Sequence, residues 1–477
     1  MKDLVTTALD FMEGVDYGDA RLVQIQEQQI TVRDGKVERI QVSESLGMGI
    51  RILDHGFWGF YATHDLSVAN IAEAVKQAKA IAQASRIAGG RPLQLAEVDP
   101  VQDTYVTPHQ VDPFAVPLDQ KIELLLKTDE ILRQGKHIVN RELQLRFVKR
   151  YQVFGSTEGS LIEQTIVESG GGYHVFAFRD GILVRRSYPA AHGGNMQRKG
   201  YEFIEEMDFL SHAPQVVEEA EALLKAPPAP EGVMDLVIHH SQMVLQIHES
   251  VGHPLELDRV LGWEAGYAGE SFATLDKLDT FQYGSPLMNI TSDSTLPGGL
   301  GTYGYDDDGV PAQRVYLIQE GILRGYLSSR DTAPFIGRKS VGAARAQDWS
   351  RMPIVRMTNV NLEPGEMTLE ELIDGVKDGL FIMTNKSWSI DQRRLNFQFA
   401  TEIGWRIRNG KLAEMVRTPI YSGITPVFWR SMDGVANDWY LWGIQNCGKG
   451  EPSQAMHTGH GTPSARFRHV RVGSVRD

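Results

Sequence analysis

The segment that most constrains this chain is APPAPEG, residues 226–232, which places three prolines within four positions. Proline fixes its own φ and has no backbone N–H, so such a segment cannot continue a helix and instead favours a stiff, extended linker. We therefore predict a first domain over residues 1–225, a proline-rich linker over 226–232 and a second domain over 233–477.

The first half mixes two kinds of apolar spacing. Alternating stretches on both sides of Asp34-Gly35 predict a β-hairpin, because this dipeptide readily adopts the positive φ values of a tight turn. Ser67 is a suitable N-cap for the alanine-rich helical segment that follows it. Residues 92–118 contain five prolines and predict an extended connection. Apolar spacing of three and four predicts helices over residues 1–12, 68–86, 118–133 and 204–225.

The second half is rich in glycine and in short alternating stretches, and only residues 241–251 and 368–376 have helical spacing. The predicted fold class is therefore α+β. We expect an N-terminal α/β domain of antiparallel strands and helices, followed by a β-rich C-terminal domain that carries the metal site described below.

Charge and composition exclude several classes of protein. The 477 residues include 48 basic and 61 acidic side chains, a net charge of −13, and no basic run is long enough to follow a nucleic-acid backbone. No apolar run reaches the ~18–20 residues of a membrane span. Acidic residues within MKDLVTTALDFMEG argue against a secretory signal, and the single Cys447 fits a reducing compartment. We expect a cytoplasmic protein.

A possible metal site follows the linker in the sequence HESVGHP, which contains His248, Glu249 and His253. In a continuous α-helix, residues five apart point about 140° away from each other, so both imidazoles could not reach one metal ion. Gly252 can end a helix, and Pro254 disfavours the α conformation for the residue before it. We therefore expect the helix to end at Gly252 and His253 to turn back toward His248.

Two histidines are not enough for a catalytic zinc site, which usually has three protein ligands and one open position. The spacing leaves the third ligand open, and it also leaves open that both histidines are ordinary, partly buried side chains. The third ligand could be any of five residues: His239, His240, Glu256, Asp258 and Cys447.

The acidic run Asp306-Asp307-Asp308-Gly309 resembles a calcium-binding loop at first sight. It lacks both the alternating ligand spacing and the closing glutamate of such loops. A hairpin turn is the better interpretation.

The HESVGHPLELDR segment resembles the HExxGHxxExD motif of the TldD/PmbA family of metallopeptidases. The resemblance extends over about residues 248–467 and places the chain with the TldD-like branch, which has the HExxxH motif. Further segments with the family's order are GYDDDGVPAQRVYLIQEGILRGYLSSRDTA, RMPIVRMTNVNLEPGEMTLEELI, CGKGEPSQ and TGHGTPSARF.

The resemblance implies a zinc-dependent peptidase with one Zn²⁺ per chain, held by His248, His253 and Cys447, with Glu249 as the general base. His460 could support a ligand or face the substrate, and it could equally be a structural histidine of a loop. The implied substrates are unfolded peptides or small unfolded proteins that enter a narrow channel. The implied partner is a second copy or a PmbA/TldE-like paralogue. Two alternatives are an idle peptide-binding or assembly subunit and a structural zinc site.

Overall fold

The N-terminal half is built on one eight-stranded sheet in a computed structural model that describes residues 1–474. Its strand order is β3-β2-β1-β5-β6-β4, and β7 and β8 also pair with β6. Neighbouring strands are antiparallel except for β4 and β6. The strands are β1 (Tyr17–Arg33), β2 (Lys36–Asp54), β3 (Phe57–Thr63), β4 (Gln102–Val106), β5 (Ile138–Ser156), β6 (Leu161–Arg179), β7 (Ile182–Tyr188) and β8 (Asn195–Gln197).

The β1–β2 hairpin turns at Asp34 and Gly35, whose φ values of +49° and +76° match the sequence prediction. The predicted extended connection over residues 92–118 is only partly correct, because it contains β4, which pairs with β6 in parallel. These strands and their covering helices enclose the apolar core of this half.

Helices of the N-terminal half cover the sheet at the predicted places, with one exception. The single helix expected over residues 204–225 is two helices, because Asp208 has a left-handed conformation with φ +42° and its carboxylate caps the second helix at the Ser211 N–H. The five helices are α1 (Lys2–Asp10), α2 (Val68–Ala88), α3 (Leu118–Leu132), α4 (Glu202–Glu206) and α5 (Phe209–Leu223).

The C-terminal half is centred on a seven-stranded sheet with the order β16-β9-β23-β19-β17-β18, in which β20 also pairs with β23. Smaller sheets are formed by β10, β11, β12 and β15, by β13 and β14, and by β21 and β22. The strands are β9 (Gly232–Ile238), β10 (Ile290–Asp293), β11 (Arg314–Gln319), β12 (Ile322–Leu323), β13 (Ala344–Arg345), β14 (Ile354–Val355), β15 (Val360–Leu362), β16 (Asp378–Ile390), β17 (Asn396–Arg408), β18 (Lys411–Arg417), β19 (Pro419–Ile424), β20 (Met432–Val435), β21 (Tyr440–Lys449), β22 (Gln454–Thr462) and β23 (Ala465–Ser474).

The whole chain is α+β, as predicted, and its C-terminal half is rich in strands. Thr368 caps one of the two helices expected there through a reciprocal capping box with Glu371.

No helix within residues 1–474 is long and apolar enough to cross a membrane. The helices of this half are α6 (His240–Ile247), α7 (Leu257–Val260), α8 (Leu369–Asp374) and α9 (Thr425–Arg430).

Buried ion pairs join the two halves at the acidic turn. Arg51 on β2 pairs with Asp19 at 2.7 Å and with Asp308 at 2.8 Å, and Arg21 on β1 pairs with Asp307 at 3.1 Å. The segment is a turn, as predicted, because the Gly309 N–H donates to the Asp306 carbonyl. Removing one partner of such a pair leaves an uncompensated buried charge, so these pairs hold the acidic turn against strands β1 and β2.

The helix that carries His248 does not end where the sequence predicts. Gly252 has φ −59° and His253 has φ −59°, both in the right-handed helical region, so the prediction that the helix ends at Gly252 is wrong. Instead α6 continues into a π-helical turn (His248–Gly252), closed by the His253 N–H donating to the His248 carbonyl, and then into a 3₁₀ turn (His253–Leu255). An i→i+5 turn winds more slowly than an α-helix and brings residues five apart to the same side.

The wide turn is stabilised by side chains that replace missing backbone hydrogen bonds. Pro254 has no N–H to offer the Ser250 carbonyl four residues earlier, and the buried Tyr283 hydroxyl donates to that carbonyl at 2.5 Å. The Ser250 Oγ also accepts a hydrogen bond from Trp429 Nε1 at 2.9 Å. Buried polar groups of the irregular turn are thereby paired.

We predict that Tyr283→Phe lowers the free energy of unfolding by about 1–3 kcal/mol, because it leaves the buried Ser250 carbonyl without a donor. Denaturant unfolding measures this loss. Tyr61→Phe is the control, since Tyr61 is 40% exposed and should change stability little. Equal stability of the two variants would contradict the role given to the Tyr283 hydroxyl.

Candidate metal centre

Three buried side chains from two distant parts of the chain converge in the C-terminal half. His248 opens the π-helical turn, His253 opens the 3₁₀ turn after it, and Cys447 lies on β21. One ligand atom from each lies within 4.8 Å of the other two. The structure therefore brings together the three residues for which the sequence predicts a shared metal.

The distances suit a tetrahedral metal. Cys447 Sγ lies 3.6 Å from His253 Nε2, and the centroids of the His248 and His253 rings are 4.8 Å apart. With bonds of about 2.3 Å to sulfur and about 2.0 Å to nitrogen, two ligands of a tetrahedral zinc ion lie about 3.5 Å apart. The donor set and its spacing fit such an ion.

His460 determines which nitrogen of His248 is available. His460 Nδ1 lies 2.8 Å from the Val360 carbonyl, which can only accept, so the proton of a neutral His460 is on Nδ1. Its Nε2 then accepts a hydrogen bond from His248 Nδ1, 2.9 Å away. The lone pair of a neutral His248 is consequently on Nε2.

Glu256 has the same role for His253. Its Oε2 accepts a hydrogen bond from His253 Nδ1 at 2.8 Å, which leaves Nε2 as the lone-pair atom that faces Cys447. Glu256 Oε2 also lies 3.4 Å from Lys449 Nζ, which is fully buried and pairs with Asp258 at 2.6 Å. Carboxylates behind ligating histidines are common in metal sites, where they fix ring orientation and raise basicity.

The protonation states favour metal binding. Burial lowers the pKa of His248 to about 4 and lowers the pKa of His253 well below its ordinary value, so both rings are neutral at pH 7. Burial by itself raises the pKa of the Cys447 thiol, but His253 and Arg356 outweigh it, so this pKa lies below its ordinary value. Neutral imidazoles and a readily ionised thiol are the forms that bind metals.

Glu249 lies beside the three ligands and is 5% exposed. Its Oε2 forms an ion pair with Nη1 of Arg394, which lies in the connection between β16 and β17. The arginine places a positive charge next to the only acidic side chain of the HExxxH motif. The Glu249 carboxylate is therefore held in place by a charged side chain from a different segment of the C-terminal half.

The three motif residues His248, Glu249 and His253, together with Cys447, border a cavity of about 440 Å³. One wall is the loop after β7, with His192, which comes from the N-terminal half. Trp388 on β16 and Trp442 on β21 form other parts of the wall. His192 Nε2 lies 3.0 Å from Asn385 Oδ1, so the two halves of the chain meet at the edge of this cavity.

The other candidate ligands lie outside the cluster. Asp258 is paired with Lys449, as described, and Glu256 supports His253 from behind. The rings of His239 and His240 contact each other at the start of α6, with centroids 3.7 Å apart and planes tilted by 38°. His460 accepts a hydrogen bond from His248 and is not among the residues that border the cavity.

Arg394 and His192 are the residues that sequence reasoning missed. Each lies in a loop without a recognisable motif, and each reaches the cavity through the tertiary fold. Nothing in the local sequence of either loop distinguishes them from other surface residues.

Comparisons with known proteins show which family the chain is similar to. Residues 231–474 match the PmbA/TldA metallopeptidase C-terminal domain, residues 18–82 match domain 1 and residues 111–225 match the central domain of the same family. A metalloprotease of Methanothermobacter thermautotrophicus is 30% identical over 98% of this chain and 97% of its own. A metalloprotease of Methanocaldococcus jannaschii is 29% identical over 94% of this chain and 96% of its own.

The fold is also similar to a solved structure. TldE from Thermococcus kodakarensis superimposes with a TM-score of 0.74 over 99% of each chain, at 14% identity. The three domain matches along the chain and the relative that is 30% identical over 98% of it establish that the chain belongs to the PmbA/TldD metallopeptidase family.

Proposed function

We propose that this protein is a zinc-dependent peptidase that cleaves unfolded peptides or small unfolded proteins. The observation that carries the proposal is the convergence of His248, His253 and Cys447 beside Glu249 in one cavity. Three protein ligands without a fourth among the described residues are typical of catalytic zinc, whereas structural zinc prefers a closed four-ligand shell.

Each residue has a defined part in the reaction. His248, His253 and Cys447 would hold the ion, which when bound supplies a Lewis acid that polarises the scissile carbonyl. Glu249 takes a proton from the attacking water and passes it to the leaving amine. Arg394 keeps the Glu249 carboxylate oriented toward the cavity.

The edge of strand β21 that no other strand occupies supports the proposal that the substrate is a peptide. Within residues 1–474 its only strand partner is β22, and Asn195 occupies part of its other edge by bonding to the Leu441 carbonyl and the Gly443 N–H. The edge beyond Gly443 leads to Cys447. An extended peptide can pair with such an edge through its backbone, and a folded domain cannot.

The partner is proposed by similarity. The likeness to TldE supports assembly with a PmbA/TldE-like paralogue, or with a second copy of this chain, around the cavity. Such an assembly would narrow the access route and restrict it to unfolded chains.

Cys447→Ala should lose bound zinc while the fold is retained, because one ligand is removed from an otherwise preformed pocket. Metal analysis of the purified protein, with circular dichroism as the folding check, measures this. Ser389→Ala, at the wall of the same cavity, is the matched control and should keep its zinc. Unchanged zinc content in Cys447→Ala would mean that the third ligand lies elsewhere.

His460→Phe should weaken zinc binding by about 10–100-fold, because His248 Nδ1 loses its acceptor and the ring is no longer oriented. His460→Gln should restore much of the affinity, since its side-chain carbonyl can accept the same hydrogen bond. Competition with a metal-binding dye gives the affinities, and His64→Phe, at an exposed position, is the control. Equal affinity of the Phe and Gln variants would show that the hydrogen bond does not matter.

Glu249→Gln should keep its zinc and lose peptidase activity by about 10²–10⁴-fold, because the amide cannot accept the proton. The assay compares a small stable domain with the same domain destabilised by mutation. We expect the wild-type protein, with its paralogue if one is needed, to cleave only the destabilised form. Full activity of Glu249→Gln would overturn the catalytic assignment, and cleavage of the stable domain would exclude restricted access.

A further inference from the structure

Apolar side chains line much of the cavity that His248, Glu249, His253 and Cys447 border. Val244 and Leu245 lie on α6, four residues before His248 and Glu249 respectively. Side chains four apart lie on the same face of a helix, so these two residues place apolar surface next to a ligand and next to the proposed base. We call the six apolar residues larger than alanine that border this cavity the apolar wall: Val244, Leu245, Trp388, Ile390, Trp442 and Ile444.

Trp388 is an exposed member of the apolar wall. It lies near the end of β16 between Ser387 and Ser389, and it is 42% exposed. The ring of His192 stands nearly at right angles to its indole, with centroids 5.2 Å apart. A tryptophan left this exposed forgoes much of the free energy that its burial would provide. Its uncovered ring surface at the cavity is therefore available to a bound molecule.

Trp442 is a buried member of the same wall, with 4% of its surface exposed. Its Nε1 donates a hydrogen bond to His240 Nδ1 at 3.2 Å, and its ring packs against Tyr440 with centroids 4.8 Å apart. The one polar atom of this side chain is already paired. Trp442 consequently offers a ligand apolar surface only.

The charges around the cavity cancel. Apart from the Cys447 thiol, the charged side chains that border it within residues 1–474 are Glu249 and Arg394, which pair with each other. Burial lowers the pKa of His192, as it does for the two motif histidines, so these rings are neutral at pH 7. The remaining polar side chains are those of serine, asparagine and glutamine. A charged side chain of a substrate would lose its hydration here without gaining a partner, which is costly.

We infer that the apolar wall is a specificity pocket that binds a large apolar or aromatic side chain of the peptide close to the bond that is cleaved, and that Trp388 determines this preference. The inference rests on the proposed peptidase function and names its class of substrate. The wall and the metal ligands share one cavity, and an extended peptide advances only about 3.3 Å per residue. Side chains next to the scissile bond are therefore within reach of the wall.

A preference of this kind also selects for unfolded chains. Large apolar side chains are mostly buried in native proteins and become accessible when a protein unfolds. The pocket would therefore recognise the feature that distinguishes an unfolded substrate from a folded one, independently of how narrow the access route is.

The binding test uses the metal-free, full-length protein, together with its paralogue if the two form a stable complex, so that peptides bind without being cleaved. Fluorescent ten-residue peptides with blocked ends differ only in one central residue, which is Phe, Gln, Glu or Lys. Fluorescence anisotropy should show about tenfold tighter binding of the Phe peptide than of the Gln peptide, because an aromatic ring gains most from burial. Equal affinity for the Phe and Gln peptides, or tightest binding of a charged peptide, would overturn the pocket.

Variants assign the preference to one residue. Trp388→Ala should lower the ratio of the Phe and Gln affinities to about two or less, and Trp388→Phe should keep most of it, since an aromatic ring is retained. Trp263→Ala is the matched control, because Trp263 is 41% exposed and borders a different cavity. An unchanged ratio in Trp388→Ala would overturn the assignment to Trp388. If that variant instead lost subunit assembly in size-exclusion chromatography, Trp388 would be an interface residue.

Hydrolysis by the zinc-loaded protein separates this inference from the proposed function. Mass spectrometry of the products should place the cleaved bond within about two residues of the Phe. Cleavage of the Phe and Gln peptides at equal rates would leave the peptidase function standing and overturn the pocket. A preference for Phe that depends on Trp388, without hydrolysis of any peptide, would overturn the peptidase function and leave the apolar wall standing as a binding site.

Discussion

One backbone hydrogen bond, from the N–H of His253 to the carbonyl of His248, determines the geometry on which the metal centre depends. It closes five residues into a single π-helical turn, and this turn brings two side chains that an α-helix would separate to one side of the backbone. Pro254 has no N–H to donate to the Ser250 carbonyl, and the Tyr283 hydroxyl donates to this carbonyl instead. Both residues together make the wide turn possible. The turn also needs a glycine at position 252, because a Cβ there would lie 2.1 Å from the Met357 sulfur.

Behind the ligands lies a group of buried charges that costs free energy to desolvate. Lys449 is fully buried between Glu256 and Asp258, and Glu256 is also fully buried. Such groups stabilise a fold little compared with apolar packing, but they define a single arrangement of the side chains they contact. Here that arrangement fixes the orientation of His253. The rigidity of the centre is therefore obtained from polar contacts, while the apolar core supports the turn as a whole.

The sequence predicts the elements whose patterns are local and misses what depends on contacts between distant segments. The hairpin at Asp34-Gly35 and the helix that begins after Ser67 follow from turn chemistry and periodicity. The break at Asp208 and the π-helical turn do not, because an aspartate at positive φ and a carbonyl bonded to Tyr283 depend on tertiary surroundings.

The residues of the candidate site also divide into those that a local sequence pattern predicts and those that it does not. The spacing of His248 and His253 suggests a metal site, but Cys447 could be chosen among the five possible third ligands only through the resemblance to a family. Arg394 and His192 have no sequence pattern of their own, since each reaches the cavity only through the tertiary fold.

The position of Cys447 and His460 near the end of the chain affects when the centre can form. A chain made from its N-terminus contains the HExxxH helix long before β21 and β22 exist, and the wall with His192 is useful only once both halves have docked. Because contacts across such long separations form late in folding, the two histidines are without their thiolate and their supporting imidazole during most of synthesis. A chain that has not yet reached β21 and β22 therefore holds both histidines without Cys447 and without the imidazole that orients His248.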